Sequence, residues 1–164
     1  MPALSLSFRC LNFQDLSKED LYRLLRLRAE VFIVEQQCPF QDLDNADQES
    51  LHVLGELNGE LVCYARLLPA GVKFPAASIG RVVSAQSVRR DGFGRALMGF
   101  CLHSCREHWP QTTISISAQS YLEKFYQSFG FVTVRGPYPE DGIPHLEMHL
   151  GAESELPLPQ GTEK

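Results

Sequence analysis

Hydrophobic and polar positions repeat with two different periods along the chain, and these periods predict strands and helices in turn. Residues 4 to 13 alternate between apolar and polar side chains, as a half-buried strand does. From Ser17 onward, apolar residues recur at helical spacing to about Glu35, and the acidic residue three positions after Ser17 completes a capping-box-like start. Cys38-Pro39 then ends the helix. The chain is therefore predicted to begin with a strand and a long helix.

The next part of the chain is predicted to be a meander of three strands. Residues 51–57 and 60–68 flank Asn58-Gly59, a dipeptide that suits a type I′ hairpin turn because both residues tolerate positive φ. A third strand, 76–84, leads into a glycine-rich loop. Residues 40–49 precede the meander, read FQDLDNADQE and are predicted to form a solvated acidic loop.

The second half of the chain repeats the alternation of helices and strands. The predicted elements are a helix at 95–108, a strand at 112–118, a short helix from Tyr121 to Phe129 that Gly130 ends, and strands at 131–135 and 145–150. Residues 136–144, rich in Gly and Pro, are predicted to be a surface loop. This order predicts one α/β domain over residues 1–150. Residues 151–164 are predicted to be a disordered tail.

Composition narrows the classes of partner. The formal charge is −5, with 15 basic and 20 acidic residues and no dense basic block, so a nucleic-acid partner is not expected and a cationic small molecule suits the chain better. No apolar run reaches membrane-spanning length, so no membrane partner is expected. Five cysteines without metal-ribbon spacing or a secretory signal predict free thiols in the cytoplasm.

A glycine-rich loop from Arg89 to Gly94 carries the main chemical signal. Gly92 and Gly94 can take positive φ and let the chain approach a ligand, while the helix that follows offers unpaired N–H groups. The loop therefore predicts a phosphate cradle made of main chain, although an ordinary strand-to-helix turn is the alternative. Neither the P-loop nor the dinucleotide-binding motif fits, because Gly94 is followed by Arg95-Ala96-Leu97.

Two groups of residues imitate metal sites. Cys101, Cys105 and His108 share a helix face, but two of them lie on the apolar stripe, so buried core thiols are the preferred interpretation. The three aspartates of residues 40–49 lack the Gly and Glu of a calcium loop. We therefore predict no metal site.

The loop Arg89-x-x-Gly92-x-Gly94, combined with Phe125-Tyr126-x-x-x-Gly130-Phe131, resembles the GNAT superfamily of acetyl-coenzyme A-dependent acyltransferases. Residues 4–150 are similar to its ElaA-like family in particular. The segments that carry this narrower resemblance are Arg28-x-x-Val31-Phe32-Ile33-Val34-Glu35-Gln36, Cys38-Pro39-Phe40, Ile79-Gly80-Arg81-Val82-Val83 and Glu140-Asp141-Gly142-Ile143-Pro144-His145. The resemblance implies an α/β (α+β) GNAT fold with a mixed, mostly antiparallel central sheet flanked by helices, in which strands 79–84 and 112–118 splay apart.

The resemblance also implies acetyl-CoA as cosubstrate and indicates which residues bind it. Backbone groups of Val82, Val83 and Ser84 would pair with the pantetheine arm, and the amide of Val82 would face the thioester carbonyl. Amides from Arg90 to Arg95 would hold the pyrophosphate, with Asp91 pointing outward. Gln119 is a weaker candidate contact. The full set of predicted loop contacts is Arg89, Arg90, Asp91, Gly92, Phe93, Gly94 and Arg95.

Candidate catalytic residues follow from the same resemblance. Tyr126 matches the tyrosine that commonly protonates or hydrogen-bonds the departing sulfur, and it would also contact the cofactor; a helix-packing aromatic is the alternative. For the general base we rank His145 first and Glu35 second, with Glu140 and His52 as further members of the expected acceptor rim. The alternatives are a hydrogen-bonded strand histidine for His145 and a solvated or ion-paired helix end for Glu35.

The expected function is an N-acetyltransferase that moves acetyl from acetyl-CoA to a primary amine, on a small molecule or a peptide, by direct transfer in a ternary complex. A non-catalytic CoA-sensing or protein-binding module on the same fold is the alternative. Arg28-x-x-Val31-Phe32 is also similar to acyl-homoserine-lactone synthases, which use another acyl donor. Many members of the superfamily are dimers, so a homodimer is compatible with the resemblance.

Overall fold

A seven-stranded sheet forms the centre of the molecule in a computed structural model that describes residues 5–156. Its strands are β1 Leu6–Asn12, β2 Leu51–Leu57, β3 Glu60–Leu68, β4 Ala77–Ser84, β5 Ile114–Gln119, β6 Val132–Glu140 and β7 Ile143–Leu150. The strand order is β1-β2-β3-β4-β5-β7-β6, with all neighbours antiparallel except β4 and β5. The predicted mixed, mostly antiparallel sheet is confirmed.

Three α-helices accompany the sheet: α1 Lys18–Arg28, α2 Phe93–His108 and α3 Glu123–Gln127. The capping start at Ser17 is confirmed, because its hydroxyl accepts a hydrogen bond from the Asp20 amide at 3.0 Å. The predicted continuation to Glu35 is present, but Ala29–Glu35 is wound as a π-helix. Such segments are rare and frequently lie at functional sites.

Helices cover both faces of the sheet. The apolar side of α2 packs Leu97, Cys101 and Leu102 into the larger core cluster, whereas α1 contributes Leu24 and Leu27 to a second cluster beneath β2, β3 and β4. All five cysteines are free thiols. Burial raises the pKa of Cys63 and of Cys105 to about 12, so these thiols stay protonated in the core. Within residues 5–156, no helix is long and apolar enough to cross a membrane.

Residues 40–49 form the predicted loop, with a short 3-10 turn at Asp47–Glu49, but the prediction that its aspartates are solvated is wrong. Asp42 and Asp47 are buried, and Arg28 of α1 donates to both of them, at 3.0 and 2.8 Å. Arg66 of β3 donates to Asp47 at 2.9 Å and to Asp44 at 2.7 Å. The segment alone suggests solvated aspartates because the arginines that pair with them lie far away in the sequence.

The prediction of a surface loop at residues 136–144 is also wrong. Strands β6 and β7 occupy most of it, and only Asp141 and Gly142, with φ of 51° and 77°, form the turn. Prolines 137 and 139 are compatible with β6 because that strand lies at the edge of the sheet. Outward-facing N–H groups of an edge strand make no hydrogen bond to another strand, so a proline there removes none.

The predicted ends of the chain are only partly within the described residues. Leu4 of the predicted first strand and residues 157–164 of the predicted tail lie outside them. Residues 151–156 pack on the domain, contrary to the prediction for the tail, because Arg106 donates to the carbonyl of Gly151 at 2.7 Å and Leu156 lies against the main core.

Candidate active site

A cleft opens between β4 and β5, where the sheet is incomplete. These parallel strands pair only at Ala77 with Ile114 and Ser78 with Ser115. Beyond these two pairs the strands enclose a cavity of about 640 Å³, lined by residues 78–84 of β4 and 116–119 of β5. The predicted splaying of the two strands is confirmed, and it leaves main-chain groups of both strands facing the cavity.

A bulge in β4 lies beside this cleft. Tyr64 of β3 pairs with Val83 of β4, and Arg66 pairs with Gly80. Two residues of β4, Arg81 and Val82, therefore lie opposite the one residue of β3 between Tyr64 and Arg66. Arg81 has a φ of 51°, in the left-handed region that few non-glycine residues adopt. A bulge interrupts the regular pairing of strands, so Arg81 and Val82 lie beside the cavity outside the regular register of β3 and β4.

The side chain of Arg81 ties this bulge to a buried network of arginines and aspartates. Its Nε donates to Asp42 Oδ1 at 2.8 Å, and Asp42 is shared with Arg28. Burial alone would raise the pKa of Asp47, but hydrogen bonds from Arg28 and Arg66 outweigh burial and lower that pKa overall. Asp47 therefore stays ionised at neutral pH, and Arg28 and Arg66 neutralise its charge.

A second cavity, of about 410 Å³, lies at the glycine-rich loop and the start of α2. Its lining residues are Ser84, Val88, Arg89, Arg90, Gly92, Phe93, Gly94, Arg95 and Phe125. Asp91 is the one residue between 88 and 95 that does not line it, and its side chain is exposed.

Main-chain amides at this loop are available to a ligand. Gly92 is the N-cap of α2 with a φ of 79°, and the amides of residues 92–95 donate to no other described residue. The Asp91 amide, in contrast, donates to the Val88 carbonyl at 3.3 Å. A Cβ added at Gly94 would meet no described atom within 4 Å, so space for a ligand lies beside the first turn of the helix.

The arginines of this loop are partly held by the protein. Arg89 donates to both oxygens of Glu35, at 2.7 and 2.6 Å, and to the Ser84 carbonyl at 3.1 Å. The guanidinium of Arg95 lies 4.8 Å from the centroid of the Phe129 ring. Arg90 is exposed, with a φ of 77°. The loop thus combines free amides with oriented positive charge.

Tyr126 reaches the larger cavity from α3. Its side chain is only 6% exposed, and the rings of Phe125 and Phe131 pack edge-on against it. Burial raises the pKa of Tyr126, so the hydroxyl stays protonated at neutral pH. Within residues 5–156 this hydroxyl makes no hydrogen bond, which leaves it free to donate to a ligand. Gln119, the last residue of β5, lines the same cavity.

His145 and Glu140 meet at the β6–β7 hairpin and also line the larger cavity. The Nδ1 of His145 lies 2.7 Å from the carbonyl of Ile143. Because a carbonyl can only accept, Nδ1 carries the proton, and in the neutral ring the Nε2 lone pair is directed toward Glu140 Oε2, 3.5 Å away.

Ser117 and Tyr138 support this pair, and the sequence analysis did not identify either. Ser117 Oγ donates its one proton to Glu140 Oε2 at 2.7 Å. The Tyr138 hydroxyl lies 2.7 Å from the same Ser117 Oγ, so in that hydrogen bond Tyr138 is the donor and Ser117 Oγ the acceptor. For Ser117 the only sequence signal was its alternation with Ile116. Tyr138 was hidden in the segment predicted to be a loop.

The remaining base candidates have different surroundings. Glu35 lines the cleft, and the hydrogen bond from Arg89 lowers its pKa. The expectation that His52 lies on the rim is wrong, because His52 is 0% exposed and lines neither cavity. Its ring is held between the Tyr64 hydroxyl at 2.7 Å and the Asp47 carbonyl at 2.8 Å, so it has a structural role beside the arginine network.

Known proteins share this architecture. The family profile of the acetyltransferase (GNAT) domain matches residues 13–152. Protein ElaA of Escherichia coli K12 is 45% identical over 140 residues, which cover 84% of this chain and 92% of that protein. The crystal structure of Escherichia coli ElaA superposes with a TM-score of 0.83 at 42% identity, covering 88% of this chain and 98% of the other. An acyl-CoA N-acyltransferase from Pseudomonas aeruginosa gives a TM-score of 0.83 at 40% identity, covering 88% and 99%.

Proposed function

Because the chain belongs to the GNAT acetyltransferase family and resembles its ElaA-like members over most of its length, we propose that it transfers acetyl from acetyl-CoA to a primary amine. The observation that carries this proposal is the cleft itself. Free loop amides lie at one end of it, and a protonated tyrosine and a histidine with a free lone pair face its interior. The acyl-CoA N-acyltransferase named above supports a CoA-linked donor.

In this proposal the donor is bound mainly by main chain. The amides of residues 92–95 hold the diphosphate at the positive end of α2, Arg90 adds charge, and Arg89 lies beside them in its pair with Glu35. Val82, Val83 and Ser84 offer their strand edge to the amide groups of the pantetheine arm, which takes the place that β5 leaves open. Gln119 faces the arm from the opposite strand.

The bulge gives the transfer step its electrostatic support. The amide of Val82 faces the thioester carbonyl and stabilises the negative charge that develops on its oxygen; losing such a donor costs about 3 kcal/mol. Because Arg81 is anchored to Asp42, this amide is set in place before the substrate binds. Such preorganisation is what makes a single amide effective.

Protons move at the two ends of the reacting group. His145 Nε2 takes one proton from the acceptor's ammonium, the neutral nitrogen forms a bond to the acetyl carbon, and the bond from that carbon to sulfur breaks. Tyr126 donates a hydrogen bond or its proton to the departing sulfur. The nitrogen then loses its second proton, which returns to the Tyr126 oxygen if Tyr126 has given up its own, and otherwise goes to the thiolate. Glu35 is the weaker base candidate, since its lowered pKa makes it a poorer proton acceptor.

Two measurements test the proposal separately. Titration calorimetry with coenzyme A measures donor binding, and thiol release from acetyl-CoA with a panel of amines measures transfer. Binding together with amine-dependent thiol release is the expected result. Binding without thiol release for any amine would instead favour a CoA-sensing module, and absence of binding would remove the donor site.

A further inference from the structure

Two hydrogen-bond acceptors face each other in the cleft with no donor between them among the described residues. These are Oε2 of Glu140 and the Nε2 that His145 presents in the neutral tautomer selected by the Ile143 carbonyl, 3.5 Å apart. His145 is only 9% exposed, so water can satisfy its Nε2 only from within the cleft. Glu140 Oε2 already accepts from Ser117 and its side chain is 46% exposed, but a carboxylate oxygen has a second lone pair. An ammonium group has three N–H donors, which can reach both acceptors at once.

We infer that His145 and Glu140 together bind the ammonium group of the acceptor, and that the acceptor is a primary monoamine with an apolar, aromatic-sized body. This inference rests on the proposed function and narrows its substrate class.

The protein fixes both acceptors in position. The carboxylate of Glu140 is held by Ser117, which is held in turn by Tyr138. The His145 ring stacks on Tyr138 with centroids 6.4 Å apart, and the Ile143 carbonyl selects its tautomer. Ser117 belongs to β5 and Tyr138 to β6, the two strands on either side of β7, so the sheet sets the direction of both acceptors before a ligand arrives.

The charges along the cleft favour one cationic group. Its acidic lining residues are Glu35, Glu140 and Asp141. Glu35 is neutralised by Arg89, and Glu140 and Asp141 are neighbours at the same hairpin, so the described lining offers one anionic end. Lys73, also in the lining, is paired with Asp44 at 3.8 Å. A polyamine needs a second, separated anionic site, which this lining does not supply.

Apolar side chains form much of the remaining wall. The lining includes Phe32, Phe40, Phe74 and Ile143, all of them half-buried. A ligand body that covers these side chains removes their apolar surface from water, whereas a polar peptide would leave its own amides without partners there. An anionic end and apolar walls together match an aralkylamine better than a peptide or a polycation.

The substrate class is tested with 2-phenylethylamine, spermidine and a lysine-containing peptide, each at saturating acetyl-CoA with thiol release as the readout. We expect kcat/KM for 2-phenylethylamine to exceed that for spermidine and for the peptide by at least about tenfold. Preference for spermidine or the peptide overturns this inference and leaves the proposed function intact. Absence of thiol release with every amine overturns the proposed function as well.

The binding pair is tested by Glu140→Gln. This variant should raise the KM for 2-phenylethylamine about tenfold while the KM for acetyl-CoA stays unchanged, because it removes the charge that the ammonium meets. Glu60→Gln, an exposed carboxylate that lines neither cavity, is the matched control and should leave both constants unchanged. Ser117→Ala should give a smaller rise in the amine KM, as a positioning residue does. An unchanged amine KM in Glu140→Gln would overturn the assignment.

Discussion

The two halves of the cleft are built from different chemical groups. In the donor half, which we propose binds acetyl-CoA and which residues 79–84 and the loop 89–95 form, the groups available to a ligand are mainly main-chain amides and strand edges. In the acceptor half, which we propose binds the amine and which Ser117, Tyr138, Glu140 and His145 form, they are side chains held by other side chains. Ligand binding by main-chain groups depends on backbone shape and open space. Ligand binding by side chains depends on residue identity, so one substitution is enough to change which ligand is bound. Substrate differences among relatives should therefore arise in the acceptor half.

Removing the arginine network that supports β4 is the strongest way to disturb both halves together. Arg28→Met should lower the free energy of unfolding by about 3–5 kcal/mol, because it leaves the buried carboxylates of Asp42 and Asp47 with fewer partners. Chemical denaturation measures the change, and Arg26→Met, on the exposed side of the same helix, is the control. A loss below about 1 kcal/mol would mean that water, not Arg28, satisfies these carboxylates.

Changing the tyrosine between the halves should affect chemistry and spare binding. Tyr126→Phe should lower turnover about 100-fold while the affinity for coenzyme A remains the same, since only the donor to the departing sulfur is lost. Steady-state kinetics and calorimetry give the two values. Tyr22→Phe, which alters a 72% exposed tyrosine on α1, should change neither. Unchanged turnover in Tyr126→Phe would leave this tyrosine as a packing residue.

Filling the space beside the loop amides should affect binding and spare folding. Gly94→Ala should weaken coenzyme A binding about tenfold without lowering the free energy of unfolding, because the added Cβ has open space in the free protein and alanine favours a helix. Gly99→Ala lies in the same helix with equally open space and should keep full affinity. If both variants bind equally well, the diphosphate does not contact the start of α2.

The smallest effect is expected where the halves meet, at the pair of Glu35 with Arg89. Glu35→Gln should cost less than about 1 kcal/mol of stability, because the pair is partly exposed. Arg89 lowers the pKa of Glu35, so the pair's contribution is complete above the ordinary carboxyl pKa and is lost as the pH falls through the lowered value.

Turnover of the same variant decides between the two base candidates. If His145 is the base, Glu35→Gln should keep turnover within about threefold of the original, and Glu30→Gln, an exposed carboxylate nearby, serves as control. A fall of about 100-fold in Glu35→Gln alone would transfer the role of base to Glu35.

Local features were predictable from the sequence, and long-range features were not. The hairpin turn at Asn58-Gly59 has φ of 52° and 83°, and α2 begins directly after Gly92, because such turns depend on a few adjacent residues. The network of Arg28, Arg66 and Arg81 was missed because its aspartate partners lie 14 to 39 positions away. The edge position of β6, which no local pattern reveals, explains why its residues 136–140 were predicted to be a loop, whereas residues 132–135 were predicted as a strand.

The candidate site also contains some residues that the sequence predicted and others that only the folded structure brings together. The loop residues and Tyr126 were predicted from short motifs, whose spacing is visible in a single sequence. Ser117 joins Glu140 across 23 positions, and only the pairing of β5 with β7 and of β7 with β6 brings them together. Polar residues that alternate along a strand do not indicate which of them reaches a cavity, so this contact required the folded structure.

The short pairing of β4 with β5 makes the sheet two leaves, one of four strands and one of three, joined at two residue pairs. A ligand whose own amides bond to both inner edges would act as an eighth strand and couple the leaves along the rest of their length. Occupancy of this gap would then change how the two leaves move relative to each other as well as filling a pocket, and amide exchange in both β4 and β5 should slow together.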